Sequence, residues 1–269
     1  VIRPTFEEYP NRIEERELVI FSPTKEGFRY TAGDVMSFFA EKEIRSLILI
    51  NPDNPSGNYI PGKELIRLIE WSRNNQIRLI VDESFADFSD EENNTLLLPE
   101  LLDENPQLVV LKSISKSYGV PGLRLGILAS GDKDLVALLK KEAAIWNINS
   151  FAEFFLQIQE KYQKDYQNAL ARFREERIRF FSDLKRIYGV TPYPTKANYV
   201  LIEVGNGIKA DALAQKLLIE NNVLVKDLSK KLEGNCWLRL SIQNRSDNEY
   251  LTEALRGALN GYNIKNVST

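Results

Sequence analysis

The chain has no histidine and one cysteine, Cys236, and these two scarcities narrow its chemistry before any motif is read. Without imidazole, histidine-based triads, His-containing zinc sites and imidazole proton relays are excluded. One thiol can form neither an internal disulfide nor a thiolate cluster. Catalysis must come from Lys, Arg, Asp, Glu, Tyr, Ser or Asn, or from a cofactor. No apolar stretch approaches the roughly 18 residues of a membrane-spanning helix. The opening VIRPTFEEYPNRIEERE lacks the apolar segment of a signal peptide, so the expected compartment is the cytoplasm. Charge of one sign is also scarce: Lys+Arg 35 against Asp+Glu 38 leaves -3. That balance gives no electrostatic ground for expecting nucleic acid or a membrane surface as a partner. Glycine (14) and proline (11) are too few among 269 residues for a collagen-like or disordered chain. The length suits one large core, or one large and one small domain.

What is present is a rhythm of short apolar runs and helix-period segments. ELVIF at 17–21 predicts a strand, 34–42 a helix, and SLILIN at 46–51 a second strand closed by the turn cluster PDNPSG. GKELIRLIEWSRNN places Leu65, Ile66, Ile69 and Trp71 along one apolar side of a helix. RLIVDE at 78–83 and QLVVL at 107–111 predict further strands, the second followed by the polar stretch KSISKSYG. This βαβ order predicts a largely parallel sheet with helices on both faces. The strand C-termini of such a sheet face the ligand crevice. Helices are expected at 133–141, 150–161 and 165–188, the last burying Phe173, Ile178 and Phe181. YVLIEV, a helix at 210–221, a strand at 223–225, WLRLSI and a helix at 247–259 form a smaller α+β arrangement. The fold class is therefore α/β. Residues 1–165 form a large domain, and 166–269 a linking helix with a small C-terminal α+β domain. There is no internal repeat and no low-complexity tract.

Four polar sites fall at strand ends or in the loops beyond them: Asn54, Asp82, the pair Ser115-Lys116, and Arg124. Taken singly, each has a plain reading as a turn former, a helix cap, an exposed amine or a surface ion pair. Together they lie within a succession of motifs: NPDNPSG at 51–57, DESFADF at 82–88, SISKSYGVPGLRLG at 113–126, WNINS at 146–150, ANYVLIEV at 197–204 and WLRLSI at 237–242. This succession resembles the fold-type I enzymes dependent on pyridoxal 5'-phosphate, the class I/II aminotransferases. Within them it is most similar to histidinol-phosphate aminotransferases and threonine-phosphate decarboxylases.

The resemblance implies a role for each residue. Lys116 matches the lysine that bonds to the cofactor aldehyde and then shuttles a proton, work that needs a primary amine held close. Asp82 matches the carboxylate that keeps the cofactor's ring nitrogen protonated. Asn54 matches the donor to the phenolate oxygen. Ser113, Ser115 and Arg124 match phosphate-binding positions, where a hydroxyl and a guanidinium fork suit a dianion. Arg239 matches the clamp on the substrate carboxylate, in a buried setting that calls for a counter-anion, and Asn198 faces the same pocket or serves as an ordinary strand end. No metal is implied. Phe85 stands where the family commonly carries tyrosine, which removes a donor and resembles the threonine-phosphate decarboxylase side.

The implied activity is transfer of an amino group from a small amino compound, phosphorylated or not, to a keto acid. A threonine-phosphate-like decarboxylase and an inactive remnant of the fold are the alternatives. The implied assembly is a homodimer. Family members also carry an upstream stretch with a glycine-containing phosphate loop and a ring-stacking aromatic. None is recognisable before Thr24, so the chain is expected to continue a longer upstream sequence. Other residues rank lower. Cys236 is expected in the core, and Glu83 as a structural partner. Trp146 and Asn147 line the cleft, or Trp146 packs helix to sheet. Arg172, Arg174 and Arg177 meet a phosphate or, more simply, decorate a helix surface.

Overall fold

The computed structural model describes residues 1–91 and 95–266. The chain divides into two units, Val1–Asn54 with Asn58–Ala171, and Pro55–Gly57 with the chain from Arg172 onward. The main division thus falls at Ala171 rather than at 165, and part of the NPDNPSG turn belongs with the second unit.

The first unit is built on strands β1 (Ser46–Ile50), β2 (Arg78–Asp82), β3 (Leu108–Ser113) and β4 (Gly126–Ser130), hydrogen-bonded in that order. β1, β2 and β3 run parallel, and β4 returns antiparallel to β3. Period-2 alternation sends Leu47, Leu49, Leu79, Val81, Leu108 and Val110 into the core, all fully buried. Around the sheet lie α1 (Ala32–Phe39), α2 (Gly62–Asn74), α3 (Pro99–Glu104), the single turn α4 (Ile114–Ser117), α5 (Lys133–Glu142) and α6 (Ser150–Ile158). Helix starts follow local chemistry. Thr31 and Asp34 close a capping box on α1, while Asp132 and Asn149 cap α5 and α6.

Two local expectations fail here. ELVIF forms no strand: Glu15–Glu17 is a 3-10 turn, and Phe21 makes only an isolated bridge with Ile2. Its apolar residues are used instead as packing, with Val19 and Phe21 set against the core. In α2, Ile66 points outward and Leu68 takes its place in the core beside Leu65 and Ile69.

α7 (Gln163–Lys185) carries the chain from the first unit into the second. There β5 (Val190–Pro192), β6 (Tyr199–Val204), β7 (Lys226–Asp227) and β8 (Trp237–Ser241) form an antiparallel sheet in the order β5-β6-β8-β7. Helices α8 (Ala210–Asn221) and α9 (Arg245–Asn266) complete it. The strand expected at 223–225 lies at Lys226–Asp227 instead. In α7 the buried side is Phe180 and Leu184, with Phe173 partly buried, whereas Ile178 is 67% exposed. Counting from Phe173 in steps of three and four reaches 177, 180 and 184, so the helical period buries Arg177 and excludes Ile178. Arg177 is satisfied there by donating to the Lys196 carbonyl at 3.1 Å. Gly57 is required by its turn: its φ is +72°, and a Cβ would sit 2.2 Å from Thr195 Oγ1. Among the described residues, no helix is long and apolar enough to cross a membrane.

Candidate active site

The parallel register aligns the strand C-termini at one edge, with Ile50 beside Asp82 and Asp82 beside Leu111. The ladder continues past the strands, since Asn51 N–H donates to the Asp82 carbonyl and Glu83 N–H to that of Leu111. Asn54, Asp82, Phe85, Ser113, Ser115 and Lys116 are all at or just beyond this edge, because each follows or ends a strand.

Asp82 is buried, and its carboxylate is held from both sides. Oδ1 accepts from the Ser84 amide at 2.9 Å and from the Ser84 hydroxyl. Oδ2 accepts from the Tyr9 hydroxyl at 2.6 Å. Ser84 Oγ in turn accepts from Ser113 N–H at 2.9 Å, which ties the end of β2 to the end of β3. Burial first, and then the charge and hydrogen bond of Asp82, push the Tyr9 phenol far above its ordinary range, so it stays a donor. An ionised carboxylate accepts at about four positions. Ser84 fills two and Tyr9 one, which leaves one on Oδ2 for an N–H from outside.

Tyr9, Asp82, Ser84, Ser113, Ser115 and Arg124 share a cavity of about 410 Å³. Arg124 reaches it from a left-handed backbone conformation, φ 57° and ψ 39°. A non-glycine residue there costs on the order of 1–2 kcal/mol, a strain found preferentially at functional positions. Its guanidinium is tethered by a long bond to the Pro121 carbonyl at 3.3 Å. An anion acceptor, two serine hydroxyls and an arginine in one cavity match a ligand with an N–H at one end and a phosphate at the other. The donor set therefore fits pyridoxal phosphate.

The structure does not bring every expected residue into that lining: Asn54, Phe85 and Lys116 are outside it. Asn54 is buried in the turn after β1. Lys116 is exposed, with Nζ 6.0 Å from the centroid of the buried Phe85 ring. In the second unit, Arg239 is half-buried, on the face of β8 opposite Leu238 and Leu240. It is less enclosed than its sequence neighbours suggested, and its guanidinium stacks on Tyr199, 4.8 Å from the ring centroid. Asn198 precedes Tyr199 and accepts from Ile242 N–H through its carbonyl at 2.9 Å.

Lower-ranked residues resolve plainly. Glu83 accepts from Thr95 Oγ1 at 2.6 Å and Leu96 N–H at 2.8 Å, and burial raises its carboxyl pKa. Trp146 is 92% exposed and packs on no sheet. Cys236 is half-buried rather than in the core, its thiol raised by burial and then by the Glu203 charge. Reasoning from sequence missed Tyr9 and Ser84. A contact spanning 73 positions leaves no local trace of Tyr9. A serine two places after an aspartate, by contrast, is a recognisable Asx-turn signal.

The family model for aminotransferase class I and II matches residues 1–256. The chain is 30% identical over 260 residues to the CMP-5'-(3-aminopropyl)phosphonate synthase of Streptomyces rubellomurinus, covering 96% of this chain and 41% of that protein. It is 31% identical over 264 residues to the L-serine phosphate decarboxylase of Sulfurospirillum multivorans, covering 95% and 67% respectively. A solved structure of a decarboxylase from Sulfurospirillum multivorans superposes with a TM-score of 0.84 at 29% identity, over 95% of this chain and 74% of that one. The chain thus spans between two fifths and two thirds of the length of these two curated relatives.

Proposed function

Because this chain belongs to the aminotransferase class I and II family, whose cofactor is pyridoxal 5'-phosphate, we propose that it decarboxylates a small phosphorylated amino acid. The observation that carries decarboxylation above amino transfer is Phe85. A buried ring without a hydroxyl lies under Lys116 Nζ, where the family commonly has tyrosine. The serine-phosphate decarboxylase relative supports the same choice and suggests the substrate class.

When bound, pyridoxal phosphate supplies an electron-withdrawing ring next to the substrate Cα. The residues of this chain would do the rest. Asp82, anionic and fixed by Tyr9 and Ser84, would hold the proton on the ring nitrogen through its remaining acceptor position. Ser113, Ser115 and Arg124 would hold the phosphate. Asn54 would donate to the phenolate oxygen, alone where tyrosine usually assists. Arg239 and Asn198 are assigned to the substrate's anionic group. Lys116 would hold the cofactor covalently. Released when the substrate's amino group takes its place, the Lys116 side chain would deliver one proton to Cα after carbon dioxide leaves, and would then displace the product amine.

The second reading is an aminotransferase, favoured by the extent of the family match. The two separate by product. With pyridoxal phosphate and L-serine phosphate or L-threonine phosphate, we expect one carbon dioxide per amine formed and no consumption of 2-oxoglutarate. Stoichiometric amino transfer to 2-oxoglutarate without carbon dioxide would establish the aminotransferase instead. Lys116→Ala is expected to abolish either reaction.

A further inference from the structure

Lys116 sits in α4, a helix of four residues. An isolated turn of that length does not hold itself in water. The bonds that close it are long, with Tyr118 N–H to the Ile114 carbonyl and Gly119 N–H to that of Lys116 both at 3.4 Å. Ile114 packs with Leu125 and Ala152 and so fixes one side of the turn. The other side converges on Asp87, which lies two residues after Phe85 in the 3-10 turn Ala86–Phe88.

Asp87 Oδ1 accepts from Lys112 Nζ at 2.6 Å. Oδ2 accepts from Ser117 Oγ at 2.7 Å and from the Tyr166 hydroxyl at 2.8 Å. The Tyr166 ring lies flat on Tyr118, with centroids 4.0 Å apart and 1° between planes. One carboxylate thus ties down the chain four residues before the lysine, one residue after it and, through Tyr166, two residues after it. Burial pushes the Asp87 carboxyl up, but the Lys112 charge and the three hydrogen bonds outweigh it and hold the group below the usual carboxylate range. It therefore balances the ammonium of Lys112. Glu83 faces that ammonium as well, at 3.9 Å, its own carboxyl raised by burial. Tyr118 and Tyr166, both raised by burial, face the cluster as neutral phenols.

We propose that Asp87 is the positioning residue for Lys116, stapling the chain on both sides of the lysine and cancelling the charge of Lys112, four residues before it. The proposal rests on the role given to Lys116 above, and its test separates the two. In the cofactor-free protein, Asp87→Asn is expected to speed hydrogen exchange at the Tyr118 and Gly119 amides by about tenfold or more, leaving the β1 amides unchanged. Wild-type exchange at those two amides in Asp87→Asn overturns the proposal, whatever happens to the melting temperature. Pyridoxal phosphate titration adds the electrostatic half. With Lys112 no longer balanced, the midpoint of the visible band should fall by roughly half to one pH unit in Asp87→Asn. Ser117→Ala keeps the charge, so it should speed exchange without moving the midpoint. Ser117→Ala also carries the exchange test if Asp87→Asn does not fold. A wild-type protein without a borohydride-fixed adduct on Lys116 would overturn the assignment of Lys116. The exchange arm would still decide what holds its turn.

Discussion

Asp82 is gripped by Ser84 through one oxygen only, which leaves the carboxylate free to swing unless something fixes the other. Tyr9 does this at 2.6 Å. A hydrogen bond to a charged group is worth about 1.5–3 kcal/mol. Tyr9→Phe should therefore fold normally yet bind pyridoxal phosphate about tenfold more weakly. Titration of the bound chromophore against added cofactor reads this directly, and unchanged affinity would remove Tyr9 from the site. The expected residues that line the cavity are those lying in contiguous motifs: Asp82 in DESF, Ser113 and Ser115 in SISK, Arg124 in GLRLG. Asp82 and Ser113 end strands, Ser115 follows one, and Arg124 stands just before β4, which returns antiparallel beside β3, so local order and spatial order coincide. Tyr9 was illegible because its contact closes over a long loop, and nothing around PTFEEY marks its hydroxyl as a partner of a distant carboxylate.

At the scale of elements, the strands of the parallel sheet were readable because SLILI and LVVL are continuous apolar runs that only a doubly covered sheet can bury. ELVIF carries the same local signal, yet among the described residues it finds no partner beyond one bridge. A run of apolar residues specifies burial, and the ladder comes from elsewhere. Helix phase was harder. In α7 the choice between Arg177 and Ile178, and between Phe180 and Phe181, turns on one helical step, and only the packing of Phe180 and Leu184 decides it. Turns are the most demanding elements of all. Gly57 combines positive φ with a Cβ position overlapping Thr195, so Gly57→Ala should lower unfolding free energy by about 1–3 kcal/mol in urea denaturation. A loss within a few tenths of a kcal/mol would mean that the turn relaxes freely.

For the molecule as a whole, the division into a parallel-sheet unit and an antiparallel one follows the change of pattern in the second half of the sequence, although the break falls within α7. Global stability should show a marked alkaline limit. The folded-state pKa values of Tyr9 and Tyr166 are both raised, by burial first and then, for Tyr9, by Asp82 and, for Tyr166, by Asp87 after partial relief from Ser117. Groups raised on folding contribute stability in full below the unfolded tyrosine value, about 10. Above it the unfolded chain releases protons that the folded chain keeps, so stability declines. Denaturation midpoints measured from pH 8 to 11 should therefore be flat at first and fall beyond about pH 10. A midpoint that holds steady through that range would contradict the buried, neutral phenols.

The parallel pair Tyr118 and Tyr166 has an optical consequence. Two identical chromophores held face to face, 4.0 Å apart and within 1° of parallel, couple their electronic transitions, so the near-ultraviolet absorption of the pair differs from that of two separated phenols. One ring follows Lys116 by two residues, and the other is bonded to Asp87. The turn that carries Lys116 thus comes with its own built-in gauge, readable without label or cofactor and altered once the two rings part.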